Sequence, residues 1–394
     1  MHVEVKKNAQ GIWYARPYLG RTPDGKPIQP YKQFPDAKDG LDALEMANAW
    51  AENLTAFGRV SSALIVDLLT DYVDIRESNG ASPNSVKSYR LFTRYVAKFI
   101  GNKNARDLTV MDFIRFEQRL MLPKERKGQG LSRNSVRNVH DFLRGAYMFF
   151  VSSDICDRNP LLEVSKPSPE IHEAEFLDEY SLAVLDTELE RLIDPENITE
   201  ENYLAAMNAF AAWLASVTGM RVGETCAVRR CDVFKAAKYV HVGGTVVEET
   251  GKKPYRKNVT KGRKCRNVDI TDDDLRVIYA FCAVQDALLG ALSPQTPLVT
   301  RNGDYVRPTD VSDAFKLIAA RLGLQKGFTF HGLRHTHATW LLTHGFNIKE
   351  VSERLGHADE ATTLRLYAHV MPGRGAQAAQ GYAQAVAKAK EVLQ

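Results

Sequence analysis

Paired cysteines are the first thing missing from this sequence. Its 394 residues include five cysteines, Cys156, Cys226, Cys231, Cys265 and Cys282, an odd number with no CxxC spacing. That pattern argues against a disulfide framework and against a zinc knuckle, and reads as free thiols in a reducing cytoplasm. An apolar leader is missing too, since MHVEVKKNAQ has no hydrophobic stretch, so a cytoplasmic chain is expected. Long apolar runs are also absent. The most apolar stretch, Tyr203 to Met220, contains Asn208, Ser216 and Thr218 and follows Asn202, so it reads as a buried helix and not as a membrane span. No internal repeat or low-complexity tract is visible, although the tail from Ala376 is rich in Ala and Gln.

A complete nucleotide-binding loop is lacking as well. Gly20-Arg-Thr-Pro-Asp-Gly25-Lys26 matches the first seven positions of a P-loop, but Pro27 stands where Ser or Thr would hold magnesium. The segment reads as a hairpin turn.

Net charge is small, +4, because 52 Lys and Arg oppose 48 Asp and Glu. The distribution matters more than the total. Residues 81–145 carry 14 basic and 5 acidic side chains, residues 252–266 carry 8 basic and none acidic, and residues 170–201 hold 12 acids and one Arg. Two basic surfaces separated by an acidic segment suggest a polyanion gripped at two places. Lys87, Arg90, Arg94, Arg133 and Arg137 in the first stretch, and Lys252, Lys253, Arg256, Lys257 and Arg263 in the second, are the candidate DNA-binding side chains.

The pattern predicts an α+β multidomain chain. Residues 1–58 carry two short extended runs, IWYARPYL and IQPYKQF, and then a helical pattern from about Leu41 to Phe57, a small β-sheet packed on one helix. Residues 60–164 read as all-helical, with helices near 62–76, 84–100, 109–121 and 133–153. Ser82 and Thr109 are the expected N-terminal caps there. Asn159-Pro160 ends this unit and residues 165–173, containing SKPSPE, form the linker. Residues 174–394 read as mixed and mainly helical, with helices near 178–193, 200–218 and 272–289. The extended segments KYVHV, GTVVEE and KCRNVDI predict a small antiparallel sheet within it.

The last third holds the most specific signals. His331-Gly-Leu-Arg334-His335 opens a helix, where a spacing of three puts His331 and Arg334 on one face. Leu355-Gly356-His357 follows, and ten residues later Tyr367 stands in TTLRLYAHV. Upstream, Arg221 lies in TGMRVGE at the end of the apolar helix, where an arginine must leave the core and meet an anion, and Lys261 lies in the turn-like TKGRK. This ordered set resembles the catalytic motif of the tyrosine recombinases, the phage-integrase family, in which the order is Arg, Lys, His-x-x-Arg, His or Trp, Tyr. Arg221, Lys261, His331, Arg334, His357 and Tyr367 match it with none missing. The helical unit resembles the family's core-site DNA-binding domain. The first 58 residues resemble the arm-site-binding domain of integrases from conjugative transposons and some phages.

The chemistry needs such residue types. A scissile phosphodiester gains charge on its non-bridging oxygens as it becomes five-coordinate, and fixed donors must meet that charge if no metal does. Arg221 and Arg334 offer planar, permanent charges. Tyr367 would be the nucleophile, and with a free phenol pKa of about 10 it needs a proton acceptor, for which His331 is the candidate. His357 would donate to a phosphate oxygen and Glu224 would orient Arg221. The resemblance implies that Lys261 protonates the leaving 5′-oxygen and that a 3′-phosphotyrosyl link conserves the bond energy, so that no ATP, metal or cofactor is called for. It also implies double-stranded DNA with core and arm attachment sites as substrate and a homotetramer on that DNA. Accessory DNA-bending or excision factors, a place at the bacterial nucleoid and no membrane partner go with it.

Other readings remain open on the sequence. Ile348 to Gly356 followed by DEATTLRLY resembles a helix-turn-helix, as in a non-catalytic repressor. His331, His335, His337 and His357 could serve a metal-dependent nuclease, although no carboxylate cluster accompanies them. A type IB topoisomerase shares the chemistry without an arm-binding domain.

Overall fold

The protein is described from a computed structural model. It describes residues 3–8, 10–17, 29, 31–56, 64–170, 175–249, 251–258, 265–357, 359–367 and 379–386. The P-loop-like segment 20–26 lies outside the described residues. The chain divides into two compact units, Met1–Ile171 and His172–Gln394.

The first unit begins with three short antiparallel strands, β1 (Val5–Lys7), β2 (Trp13–Ala15) and β3 (Lys32–Phe34), in that order across the sheet. Val5 faces Ala15 and Trp13 faces Phe34. Helix α1 (Gly40–Ala56) supplies Ala47 and Trp50 to a small core shared with Val3, Ala15, Trp13 and Phe34. The sheet and helix match the sequence reading. Strand β1 was not expected, because a three-residue strand with two lysines carries almost no periodic signal.

Four helices follow: α2 (Ile65–Ser78), α3 (Pro83–Ile100), α4 (Val110–Met121) and α5 (Arg133–Ser152). Ser82 caps α3 by accepting from the Ser85 amide, and Thr109 caps α4 in a reciprocal box with Asp112, so both expected caps are in place. Phe113, Phe116 and Leu120 of α4 meet Val136, Val139, Leu143, Tyr147 and Phe150 of α5, each set following the three-and-four spacing of one helical face. Buried among them, Glu117 and His140 Nδ1 pair at 2.8 Å. A buried carboxylate needs such a partner.

In the second unit, α6 (Glu179–Ile193) packs on α7 (Tyr203–Thr218). Helix α7 is apolar on almost every face and buried along its length, as the sequence reading expected. Among the described residues no helix is long and apolar enough to cross a membrane. The one-turn α8 (Val222–Thr225) leads to β4 (Val233–Phe234), β5 (Tyr239–Val242), β6 (Thr245–Val247), β7 (Tyr255–Lys257) and β8 (Arg266–Asp269). These form an antiparallel sheet β4-β5-β8 and a ribbon β6-β7. Then come α9 (Asp272–Leu289), α10 (Pro308–Arg321), α11 (Phe330–Thr343), α12 (Ile348–Leu355) and α13 (Glu360–Tyr367). Helix α7 also contacts α8, α10 and α11, so its position governs everything hung from its C-terminal end.

Phe210 of α7 stacks on Phe281 of α9 with ring centroids 4.2 Å apart and planes 2° from parallel. Both rings are fully buried. Phe210→Ala should therefore cost about 3–5 kcal/mol through lost transfer energy and the cavity left behind. Urea unfolding of the full chain measures this, and a loss under about 1 kcal/mol would contradict the packing described.

Candidate active site

Helix α7 stops because Gly219 takes a left-handed conformation, φ 67°, and returns its amide to the Ala215 carbonyl. A side chain there would meet both strain and the His337 ring, since a Cβ would lie 2.9 Å from it. The turn delivers Arg221 to the N-cap position of α8. Glu224, three residues on, accepts from the Arg221 amide at 3.1 Å and from its guanidinium at 2.8 Å. Glu224, the residue expected to orient Arg221, thus pairs with both its backbone and its side chain.

The same carboxylate also takes Arg266 Nη2 at 2.8 Å. Arg266 is inward-facing on β8, two residues before buried Val268, and its Nε donates to the Arg354 carbonyl at 2.8 Å. Burial opposes ionisation of Glu224, but Arg266 and Arg221 outweigh it and hold the carboxyl below its usual range.

Arg334, on the first turn of α11, is 1% exposed. Its Nη1 donates to the Gly219 carbonyl at 2.9 Å, while its buried Nη2 has no hydrogen-bond partner among the described residues. Burial and the neighbouring Arg221 lower its pKa to about 9, so it stays charged at neutral pH.

Helix α12 ends in a second left-handed glycine, Gly356, with φ 68°. The turn lets the His357 amide reach the Ser352 carbonyl at 3.0 Å. His357 Nδ1 then meets the Thr363 hydroxyl of α13 at 2.7 Å. Burial and the cations Arg334, Arg221 and Arg266 push its pKa down to about 4, so its ring is neutral.

Tyr367 sits one turn after Thr363, packed on Ala338, Leu342, Val351 and Leu355 and 1% exposed. Its hydroxyl meets His335 Nδ1 at 2.7 Å. Burial raises the phenol pKa to about 12, opposed by Arg334 and Arg221.

Of the expected set, the structure thus gathers Arg221, Glu224, Arg334, His357 and Tyr367. His331 is exposed at the start of α11, its ring 4.6 Å edge-on from that of His335. Lys261 and Arg263 lie outside the described residues.

Arg266 and Arg354 escaped the sequence reading, and His335 entered it only as a possible metal ligand. Arg354 donates to His337 Nε2 at 2.9 Å and to the carbonyls of Val217 and Asp269, tying α12 to the end of α7 and to β8. Its partner His337 gives Nδ1–H to the Ser216 carbonyl at 2.8 Å, so both ring nitrogens are spent. The converging histidines needed for a metal site therefore lose one member. The available signals were the i+4 position of His335 after His331 and the inward parity of Arg266 with Val268.

The candidate DNA-binding residues divide. Lys87, Arg90 and Arg94 are exposed and share a face of α3, with Arg90 paired to Glu77 at 2.6 Å. Arg133 is exposed at the start of α5, and Arg137 donates to the Pro167 carbonyl. Lys252, Lys253 and Lys257 are exposed, the first two paired to Glu249 and Asp304. Arg256 turns inward: it donates to the Ala227 carbonyl at 3.1 Å beside Asp232, in space left by Gly243 and Gly244.

Comparison with known proteins agrees with this geometry. The model of the phage integrase family matches residues 184–374. A tyrosine recombinase of Thermosipho africanus is 26% identical over 311 residues, covering 78% of this chain and 95% of its own. The tyrosine recombinase XerD of Shewanella oneidensis is 24% identical over 311 residues, covering 79% and 93%. Among solved structures, the Tn1549 transposon integrase in complex with transposon right end DNA superposes with a TM-score of 0.65 at 18% identity, over 82% of this chain and 99% of that one. The lambda integrase tetramer bound to a Holliday junction gives 0.52 at 16% identity, over 91% and 97%. Residues 184–374 thus match the phage integrase family, and the chain is similar to tyrosine recombinases over 78–79% of its length.

The histidines of the site carry a pH signature. His335, His337 and His357 are each pushed down to about 4, in every case chiefly by burial. In the unfolded chain they titrate near about 6.5. Between those values the unfolded state binds more protons, so stability falls as pH drops from about 6.5 towards about 4 and is insensitive to these groups above that window. Urea midpoints for the second unit's transition should be lower at about pH 5 than at about pH 7.5, and equal midpoints would contradict the neutral, buried rings.

Proposed function

We propose that this protein cleaves and rejoins double-stranded DNA at specific sites through a 3′-phosphotyrosyl intermediate on Tyr367, integrating and excising a mobile element. The observation that carries the reading is the buried Nη2 of Arg334, without a hydrogen-bond partner among the described residues, in the cluster that also holds Arg221, His357 and Tyr367. A scissile phosphate supplies the acceptor that this donor lacks.

Arg221 and Arg334 bind the non-bridging oxygens, and their charge grows in value as the phosphorus becomes five-coordinate. His357, neutral and held through Nδ1 by Thr363, presents Nε2–H to a phosphate oxygen when the Thr363 hydroxyl donates. Lys261 protonates the leaving 5′-oxygen. The phosphotyrosine stores the bond energy, so neither ATP nor a metal is required.

Residues 1–58 act as the arm-site-binding domain, 60–164 as the core-site-binding domain and 174–394 as the catalytic domain, joined by the linker 165–173. The exposed α3 face and the strand–turn around β7 each provide phosphate contacts. The protein works as a homotetramer on DNA at the nucleoid, with accessory bending or excision factors setting direction. The tail is the connector between protomers. Its residues 379–386 are helical and leave Tyr382 75% exposed, consistent with docking on a neighbour. A helical continuation would place Ala389 and Leu393 on one stripe with Tyr382 and Val386, and those two residues lie outside the described residues.

The test is covalent capture. Wild-type protein incubated with a random-sequence pool of nicked suicide duplexes should form a denaturant-resistant adduct that survives EDTA. Tyr367→Phe should form none, and Arg334→Ala should lose about 10²-fold or more in cleavage rate while DNA binding changes far less. No adduct from wild type, or an adduct persisting in Tyr367→Phe, would refute the reading.

A further inference from the structure

The hydroxyl of Tyr367 is reached through a histidine outside the six-residue motif. His335 follows Arg334 directly and stands between two groups: its Nδ1 lies 2.7 Å from the Tyr367 oxygen, and its ring meets His331 edge-on with centroids 4.6 Å apart. His331 itself is exposed. Helix α13 fixes the contact from the other side, because Thr363 and Tyr367 are both buried one turn apart and hydrogen-bond to His357 and His335 respectively.

We infer that His335, rather than His331, accepts the Tyr367 proton during strand cleavage and returns it during rejoining. The inference rests on the reading of Tyr367 as the nucleophile. It requires the tautomer with Nδ1 bare and the proton on Nε2, so that the phenol donates. In cleavage the phenol O–H bond breaks and its proton bonds to Nδ1. The phenolate pair forms the bond to phosphorus as the phosphorus–O5′ bond breaks, and the departing 5′-oxygen takes its proton from the acid assigned to Lys261. Rejoining runs the same transfers backwards, so no oxidant or further reactant is needed.

The charges around His335 give this arrangement a substrate dependence. Burial and the adjacent Arg334 hold the imidazole down at about 4, and burial keeps the phenol up at about 12, so in the empty site the proton stays on oxygen. The groups facing His335 are Arg334 and His331 on α11, Tyr367 on α13 and His357 after α12. A phosphodiester on Arg334 offsets the positive charge that weakens the base, so His335 becomes competent only beneath a bound phosphate.

The experiment is single-turnover cleavage of the captured nicked duplex at saturating protein, from about pH 5.5 to about pH 9.5. Wild type should reach a plateau. His335→Gln keeps a hydrogen-bonding side chain but cannot take a proton. Its rate should fall about 10²-fold or more near neutrality and then climb about tenfold per pH unit as hydroxide ionises the phenol. His331→Gln should keep a plateau whatever its rate. Four results would overturn the inference: a wild-type profile in His335→Gln, an equal loss at every pH, no cleavage even at the alkaline end, or the hydroxide climb appearing in His331→Gln. An adduct surviving in Tyr367→Phe would instead overturn the nucleophile itself, a separate readout.

Discussion

Two guanidiniums, those of Arg221 and Arg266, pair with one buried carboxylate, Glu224, in the second unit, and a third, Arg334, feels its charge without bonding to it. Burying charge is expensive, and burying an excess of one sign more so. Arg334 shows the consequence most directly, with one nitrogen on the Gly219 carbonyl and the other on nothing among the described residues. Such a cluster is a poor way to stabilise a fold and a good way to hold a phosphate whose charge increases as it reacts. Burial keeps all three neighbouring groups uncharged: it acts with the fixed positive charge to hold the two histidines neutral, and against that charge to keep the phenol protonated.

The surrounding fold keeps those cations in place. Apolar α7 is buried on nearly all sides, and its end at Gly219 positions both the Arg221 turn and the carbonyl that holds Arg334. Arg354 binds the end of α7, the sheet and His337 together, and Arg266 ties β8 to both Glu224 and the end of α12. Gly356 must lack a side chain because a Cβ would lie 2.8 Å from Arg266 Nη1. The short helix carrying Tyr367 is therefore fastened to a scaffold that the cations themselves help to close.

Much of this was legible in the sequence because the chemistry constrains residue type and local spacing. The order from Arg221 to Tyr367, the caps at Ser82 and Thr109, and the helix at 272–289 all follow from patterns a few residues long. What stayed hidden depends on contacts between distant segments. His335 looks like one more histidine in HGLRHTHATW until α13 brings the Tyr367 oxygen to it. Arg266 is a cation in a basic run until Glu224, 42 residues earlier, meets it in the core. Arg256 misleads in the opposite direction. It lies in the most basic stretch of the chain, yet Gly243 and Gly244 open a space that draws its guanidinium inward.

The buried cations around Arg334 carry positive charge that Glu224 only partly offsets. Replacing Arg334 by an apolar side chain of similar length tests this most directly, by urea unfolding with and without bound DNA. In the free protein Arg334→Met should leave stability unchanged or raise it by about 1 kcal/mol or more, because an unpaired buried charge is removed. The same variant should lose most of the stabilisation that DNA confers on the wild type's second unit. A loss of about 3 kcal/mol in the free protein, with the DNA-induced gain intact, would show that Arg334 holds the fold together and does not wait for an anion.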